Sequence, residues 1–348
     1  MQVELTPTTL RDLLALSFDE MQRVDIGRMN LLCSEGLPEV GLSCGLKVLN
    51  QLAEAAKQYT ACNWHLLRHH GDVLRNSEVV YRIYCLSRSL RDGYRIHYCR
   101  EERDYSLPAD WGKADRHFMF GCLGPQRHGT CASLPALFVA VGRRLGYPLN
   151  LVHSPSHVFC RWEEPERHNI EFNGDDFDLR EYEEYLTIPV QWDATTIAQE
   201  KGRKLPLFLR SLLPQEIVAA FLAQRGHYFE DIGIVWEARR AYHTASQLAP
   251  HNPTYEDFLV HCNRNHAKKI LSPWGVKPDE FCMEIERRLK GGNPGFHRFP
   301  WEGPGGAPIP GGSPYEHRHG SPVYNFLANI APPETSPASV AATPAGTP

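Results

Sequence analysis

The first regular pattern along the chain is helical. Leu10, Leu13, Leu14, Phe18 and Met21 fall on one stripe, which predicts an N-terminal helix. Pro38 interrupts the segment that follows. Val79, Ile83, Leu86 and Leu90 recur at i, i+4, i+7 and i+11 and predict another helix face, with Tyr94–Tyr98 as a short strand after it. The clearest periodicity joins Leu134, Leu137, Phe138, Val141 and Leu145. Arg143 and Arg144 fall in the last turn of that helix, where they offset the negative end of its dipole. Gly146 suits a left-handed cap and Pro148 ends the helix. Pro135 has no N–H, so it belongs in or just past the first turn. This sets the helix start within a residue or two of Cys131.

The period then changes. His157–Trp162 and His168–Asn173 read as strands, and in the second Ile170 and Phe172 point one way while Asn169, Glu171 and Asn173 point the other. The short polar turn from Glu163 to Arg167 makes the two an antiparallel hairpin. The acidic stretch Asp175–Glu184 reads as a solvated face, since it lacks the D-x-D-x-D-G spacing of a calcium loop. Helical spacing returns with Glu216, Ile217, Ala220, Phe221 and Gln224. It continues with Glu237, Ala238, Ala241, Tyr242, Ala245 and Leu248, stopped by Pro250 and Pro253. Tyr255–Leu271 and Asp279–Leu289 suit further helices. The run EARRAYHTASQLAPHNP has the pattern of the second helix and exit turn of a tetratricopeptide repeat, although an ordinary helical subdomain accounts for the same residues.

These patterns divide the 348 residues into four parts. They are an N-terminal helical segment (1–70), an α+β core (71–212), a helical unit (213–290) and a tail (291–348). The tail carries 12 Pro and 10 Gly among 58 residues, a composition that cannot bury enough apolar surface to offset its ordering entropy, so it is expected to be disordered. Trp301, Tyr315, Tyr324 and Phe326 within it are suited to docking on a partner or on the body. Lys plus Arg number 37 against 41 Asp plus Glu, a net charge of −4, which excludes nucleic-acid binding through bulk positive charge. No apolar run approaches the roughly 18–20 residues that span a bilayer, and the first residues lack a basic start followed by an apolar block. The expectation is therefore no membrane segment, no secretory signal and a cytoplasmic location. Ten cysteines without a C-x-x-C pair are expected to be reduced thiols rather than a disulfide scaffold or a zinc ribbon.

The candidate chemistry lies between Gly129 and Asp178. A cysteine at a helix start has its thiolate stabilised by unpaired backbone N–H groups, and the same groups can face a developing oxyanion. His157 opens the first strand of the hairpin, and Glu171 stands on the second. A thiol, a base beside it and a carboxylate that orients the base are what Cys-His-carboxylate acyl transfer requires. Asn173, Asp175 and Asp176 are alternatives for the third position. Gln126 and His128 are candidates for a further oxyanion donor, against a surface-loop reading of the same residues. The alternative reading of Glu171 is an exposed strand residue paired with Arg161. Cys33, Cys62, Cys85 and Cys160 are expected to be inert packing residues. His65 and His69 stand at i, i+4, but without a third ligand at usable spacing no metal is expected.

Cysteine at a helix start, histidine opening a strand and a carboxylate on the next strand resemble the transglutaminase-like superfamily of papain-type folds. More closely, the chain resembles bacterial members that carry a trailing tetratricopeptide unit. The stretches involved are MNLLCSEGLP, SEVVYRIYCLSRSL, GTCASLPALFVAVGRRLGYPLNLV, HVFCRW, HNIEF, SLLPQEIVAAFLAQRG and EARRAYHTASQLAP, spread over most of residues 20–250. The resemblance implies a papain-like core with Cys131 as nucleophile, His157 as base and Glu171 in place of the more usual Asp. It implies a thiol-dependent hydrolase, peptidase or transamidase acting on a protein or peptide substrate, without cofactor or metal. The rival expectation is a non-catalytic scaffold that binds a protein partner through its helical unit.

Overall fold

The computed structural model describes residues 4–37, 41–102, 109–155, 157–172, 177–187, 191–204 and 206–271. The architecture is α+β. Helices α1 (Leu10–Leu14), α2 (Phe18–Met21), α3 (Ile26–Cys33), α4 (Leu42–Cys62), α5 (His65–His69) and α6 (Glu78–Arg88) come first, and a π-helical turn, Ser89–Gly93, extends the last of them. Strand β1 (His97–Tyr98), α7 (Ala114–His117), α8 (Met119–Leu123), β2 (His128–Gly129) and α9 (Leu134–Arg144) follow. The main sheet comprises β3 (Leu149–Ser154), β4 (His157–Trp162), β5 (His168–Glu171) and β6 (Asp178–Arg180). Helix α10 (Ala194–Gly202) leads to α11 (Pro214–Asp231), α12 (Val235–Leu248) and α13 (Thr254–Leu271). Met1–Leu259 form one compact unit, and the second, Val260–Pro348, enters the described residues only as the rest of α13. The segment Asp279–Leu289 and the tail lie outside the described residues.

Helix α9 is the centre of the core. Every residue from Leu134 to Gly142 is buried, with α3, α4 and α6 against it and strands β3 and β4 also packed on it. Burying a Leu, Phe or Val side chain fully contributes about 1.5–3 kcal/mol, so this helix anchors the whole arrangement. Gly142 permits the close approach of β3, because a Cβ there would meet Leu149 Cδ1 at 2.3 Å. The chain leaves the helix through Gly146 at φ +78°, the left-handed cap its sequence predicts.

The main sheet is an antiparallel meander in the order β3-β4-β5-β6. The hairpin of β4 and β5 is present as expected, with Cys160 opposite Ile170, Arg161 opposite Asn169 and Trp162 opposite His168. The neighbours on each side correct the sequence reading. Leu149–Ser154, to which the sequence reading assigned no element, is a full strand paired with β4 from Leu149–Trp162 to Ser154–His157. The acidic stretch Asp175–Glu184 is exposed at Asp178 and Glu181–Glu184, as expected, and it also contributes β6, while Tyr185 just beyond it is fully buried against Phe159 with ring centroids 3.8 Å apart. β1 and β2 form a separate two-residue parallel pair, so only the end of Tyr94–Tyr98 is strand.

The N-terminal stripe is also divided. Two capping boxes, Thr9 with Asp12 and Ser17 with Glu20, start two short helices where the apolar spacing predicts one. Leu13 and Met21 are buried, but Phe18 remains 48% exposed. The helices expected at 79–90 and from Glu216 to Leu271 are present. In α12 the small residues Ala238, Ala241 and Ala245 are buried beside Tyr242. Gly226 of α11 lets that tyrosine ring lie close, since a Cβ there would meet it at 2.3 Å.

Candidate active site

The register of the hairpin builds the site. Extending the β4–β5 pairing by one step sets Glu171 opposite Phe159, on the same face as His157 and diagonal to it. A diagonal pair is separated by roughly 7–8 Å at the backbone, a gap that two long side chains can close. Here His157 Nε2 lies 2.6 Å from Glu171 Oε2. The other carboxylate oxygen, Oε1, accepts the backbone N–H of Phe172 at 3.0 Å. Both side chains are buried, with 2% and 7% of their surface exposed. Glu171 therefore does not pair with Arg161, whose Nε instead donates to Asn169 Oδ1 at 2.7 Å.

Cys131 completes the group from the other direction. Its thiol interacts with the His157 ring and helps to raise the imidazole pKa. The cysteine stands in a turn, Cys131–Ser133, immediately before α9 rather than in the helix itself. The turn is tied at both ends. The N–H groups of Ser133 and Leu134 donate to the Thr130 carbonyl at 3.1 and 2.9 Å, and the Thr130 N–H donates to Ser133 Oγ at 2.9 Å. Gly129 is dictated by this packing, because a Cβ there would meet Ser133 Oγ at 2.5 Å and Cys122 Sγ at 2.7 Å.

The electrostatics follow from this geometry. Burial pushes the His157 imidazole toward neutrality. The interaction with Cys131, the hydrogen bond to Glu171 and the charges of both partners outweigh burial and lift its pKa from 6.5 to about 10. Cys131 is only half-buried, which leaves its sulfur reachable. Other thiols differ. Burial raises the pKa values of Cys33 and Cys122 to about 12 and pushes Cys160 well above the usual thiol value. A buried protonated thiol is inert, as expected for Cys33, Cys85 and Cys160. Cys62, grouped with them from the sequence, is exposed instead.

The remaining candidates separate. His128 lies on β2, and its Nε2 bonds Asp115 Oδ2 at 3.1 Å. Gln126 is exposed and lines a cavity of about 410 Å3 with Lys113, Asp115, Phe120 and Tyr228. Asn173, Asp175 and Asp176 lie outside the described residues. Arg144 does compensate the end of α9, donating to the Ala140 carbonyl at 2.8 Å, and it also pairs with Asp25 at 2.7 Å. His65 and His69 are both exposed, and among the described residues no three His, Cys, Asp or Glu side chains are placed to hold a metal ion. Among the described residues, no helix is long and apolar enough to cross a membrane.

Two residues beside Cys131 escaped sequence reasoning. Thr130 and His117 are both buried and face each other, with Thr130 Oγ1 and His117 Nδ1 3.4 Å apart. The Gly-Thr-Cys tripeptide was a signal for Thr130, but nothing in the spacing pointed to His117. No family model matches the chain, and neither a curated protein nor a solved structure is significantly similar to it.

Proposed function

We propose that the protein is a thiol-dependent acyl-transfer enzyme of transglutaminase-like, papain-type architecture, in which Cys131, His157 and Glu171 form the catalytic triad. The observation that carries this reading is the buried His157–Glu171 pair at 2.6 Å, whose imidazole also interacts with the half-exposed Cys131 thiol. His157 takes the thiol proton, and the thiolate attacks a carbonyl carbon of a protein or peptide substrate. A C–S bond forms. As the tetrahedral intermediate collapses, the C–N or C–O bond breaks and the leaving group receives the proton from the imidazolium. Water or a primary amine then attacks the thioester, giving its proton to His157 and releasing Cys131. Glu171 orients the imidazole and offsets its charge throughout.

The test is trapping of the thioester. A panel of activated esters and peptide amides is to be incubated with the protein and quenched in acid, and the intact mass then measured. An acyl adduct on the Cys131 peptide, absent in Cys131→Ala and His157→Ala, is the expected result. Turnover that survives Cys131→Ala would overturn the proposal.

A scaffold reading is favoured by one observation. Ile232, Ile234 and Trp236 stand together at the turn between α11 and α12 and are 42%, 46% and 43% exposed. A helical unit that recruits a protein partner would use such residues. On that reading the Cys131 variant keeps every function of the protein, whereas changing these three side chains removes it.

A further inference from the structure

We infer that His117 is a positioning residue for the nucleophile, holding the Cys131 turn through Thr130 and held in turn by Trp111 and α11. The inference rests on the triad reading above and adds a component outside the triad.

The directions of the hydrogen bonds are fixed by chemistry. His117 Nε2 lies 2.9 Å from the Asp110 carbonyl oxygen, which can only accept, so Nε2 carries the proton. Nδ1 is then an acceptor in the neutral ring and takes the Thr130 hydroxyl proton across 3.4 Å. The Thr130 oxygen, oriented by that donation, accepts the Ala132 N–H at 3.2 Å. Thr130 and Ala132 flank Cys131 on its two sides, so this chain of three hydrogen bonds fixes the peptide units that carry the thiol. Burial pulls the His117 pKa below 6.5, outweighing the Asp110 carbonyl bond, which keeps the ring in the acceptor form at neutral pH.

A second brace runs beside the first. Ser133 Oγ donates to the Arg116 carbonyl at 2.8 Å, so consecutive residues of α7 grip the turn at Thr130 and at Ser133. Trp111 covers the His117 ring at a centroid distance of 4.2 Å and faces His227 of α11 at 4.6 Å. The His227 ring bonds the Tyr242 hydroxyl of α12 through Nδ1 at 2.7 Å. Gln224, one turn earlier on α11, donates to the Ala132 carbonyl at 3.3 Å. The helical hairpin thus supports the nucleophile turn twice, directly at Ala132 and through the stack on His117.

The test reads the geometry of Cys131 apart from any substrate. Iodoacetamide labelling of Cys131 is to be followed at pH 6 and pH 9 in the wild type and in His157→Ala, Thr130→Val, His117→Leu and His117→Asn, with thermal unfolding recorded for each. Thr130→Val keeps the shape of the side chain and loses the hydroxyl. Asn keeps an acceptor near the position of Nδ1. The expected result is labelling at pH 6 slowed about tenfold in Thr130→Val and His117→Leu, restored to within about threefold of wild type in His117→Asn, with pH 9 rates little changed. If wild type and His157→Ala label alike, the triad reading itself fails. If His157→Ala is slow at pH 6 while folded Thr130→Val labels like wild type, the triad stands and the positioning role is wrong. Thr130→Val decides the matter even if His117→Leu does not fold.

Discussion

At the residue scale the account turns on what a strand carboxylate does beside a histidine. Glu171 is one methylene longer than Asp, and the register uses that length, since the two residues are diagonal rather than directly opposite. Glu171→Gln keeps an acceptor for Nε2–H but removes the charge. The expected result is a fall in the His157 pKa from about 10 toward 6.5, read by NMR titration of its ring. The acylation rate should drop about tenfold, and Glu171→Ala should cost more because orientation is lost as well. His157→Ala leaves the buried Glu171 carboxylate without its cation, which is expected to destabilise the fold by about 3–5 kcal/mol in urea unfolding at pH 7. A loss below about 1 kcal/mol would mean that the pair is not buried as described. The three residues of the proposed triad were legible in the sequence, Cys131 and His157 at the starts of elements and Glu171 in the alternation of a strand. His117 was not, since its role depends on a tertiary contact with Thr130 and on no local pattern.

At the element scale the Cys131 turn depends on two close approaches. A Cβ on Gly121 of α8 would lie 1.6 Å from the backbone oxygen of Asp115, so Gly121→Ala must move α7 away from the turn it braces. The expected result is destabilisation of about 1–3 kcal/mol or more, with slower Cys131 labelling than the stability loss alone explains. Gly226→Ala, which strikes the Tyr242 ring, should destabilise the α11–α12 pair by a similar amount in the same urea titration. Helices α6 and α12 could be read from periodicity because one face of each packs on the core, and α9 and α11 because their apolar runs are bounded by clear start and stop residues. β3 could not. Its Leu149, Leu151 and Val152 are buried, its Asn150 and His153 half-buried, and it follows a helix exit with no polar turn of its own. The N-terminal stripe misled in the opposite sense. Its apolar spacing runs on through a break that only the Ser17–Glu20 capping box marks.

At the scale of the whole molecule, histidines of opposite behaviour bound the stable pH range. Burial lowers the pKa of His153 from 6.5 to about 4 and moves that of His117 in the same direction. A group with a depressed histidine pKa binds its proton more readily when unfolded, so its stabilising effect is complete above about pH 6.5 and is lost as the pH falls toward 4. His157 behaves in reverse. Its contribution is complete below about pH 6.5 and is lost as the pH rises toward 10. Unfolding free energy measured by urea titration should therefore decline on both sides of neutrality, and His153→Asn should flatten part of the acid limb. The α+β class and the order of the main helices followed from the sequence. The packing of α3 and α4 on α9, and of α11 on α3, joins segments far apart in the chain and left no local trace.

The central claim, that Cys131 and His157 act as one unit, is tested most directly by the rate of Cys131 alkylation from pH 5 to 9, mapped by peptide mass, in wild type and His157→Ala. The account predicts labelling that persists well below the pH at which a free thiol of pKa about 8.5 loses reactivity, and that collapses in the variant. A single rise near pH 8.5 that is identical in the two proteins would contradict it.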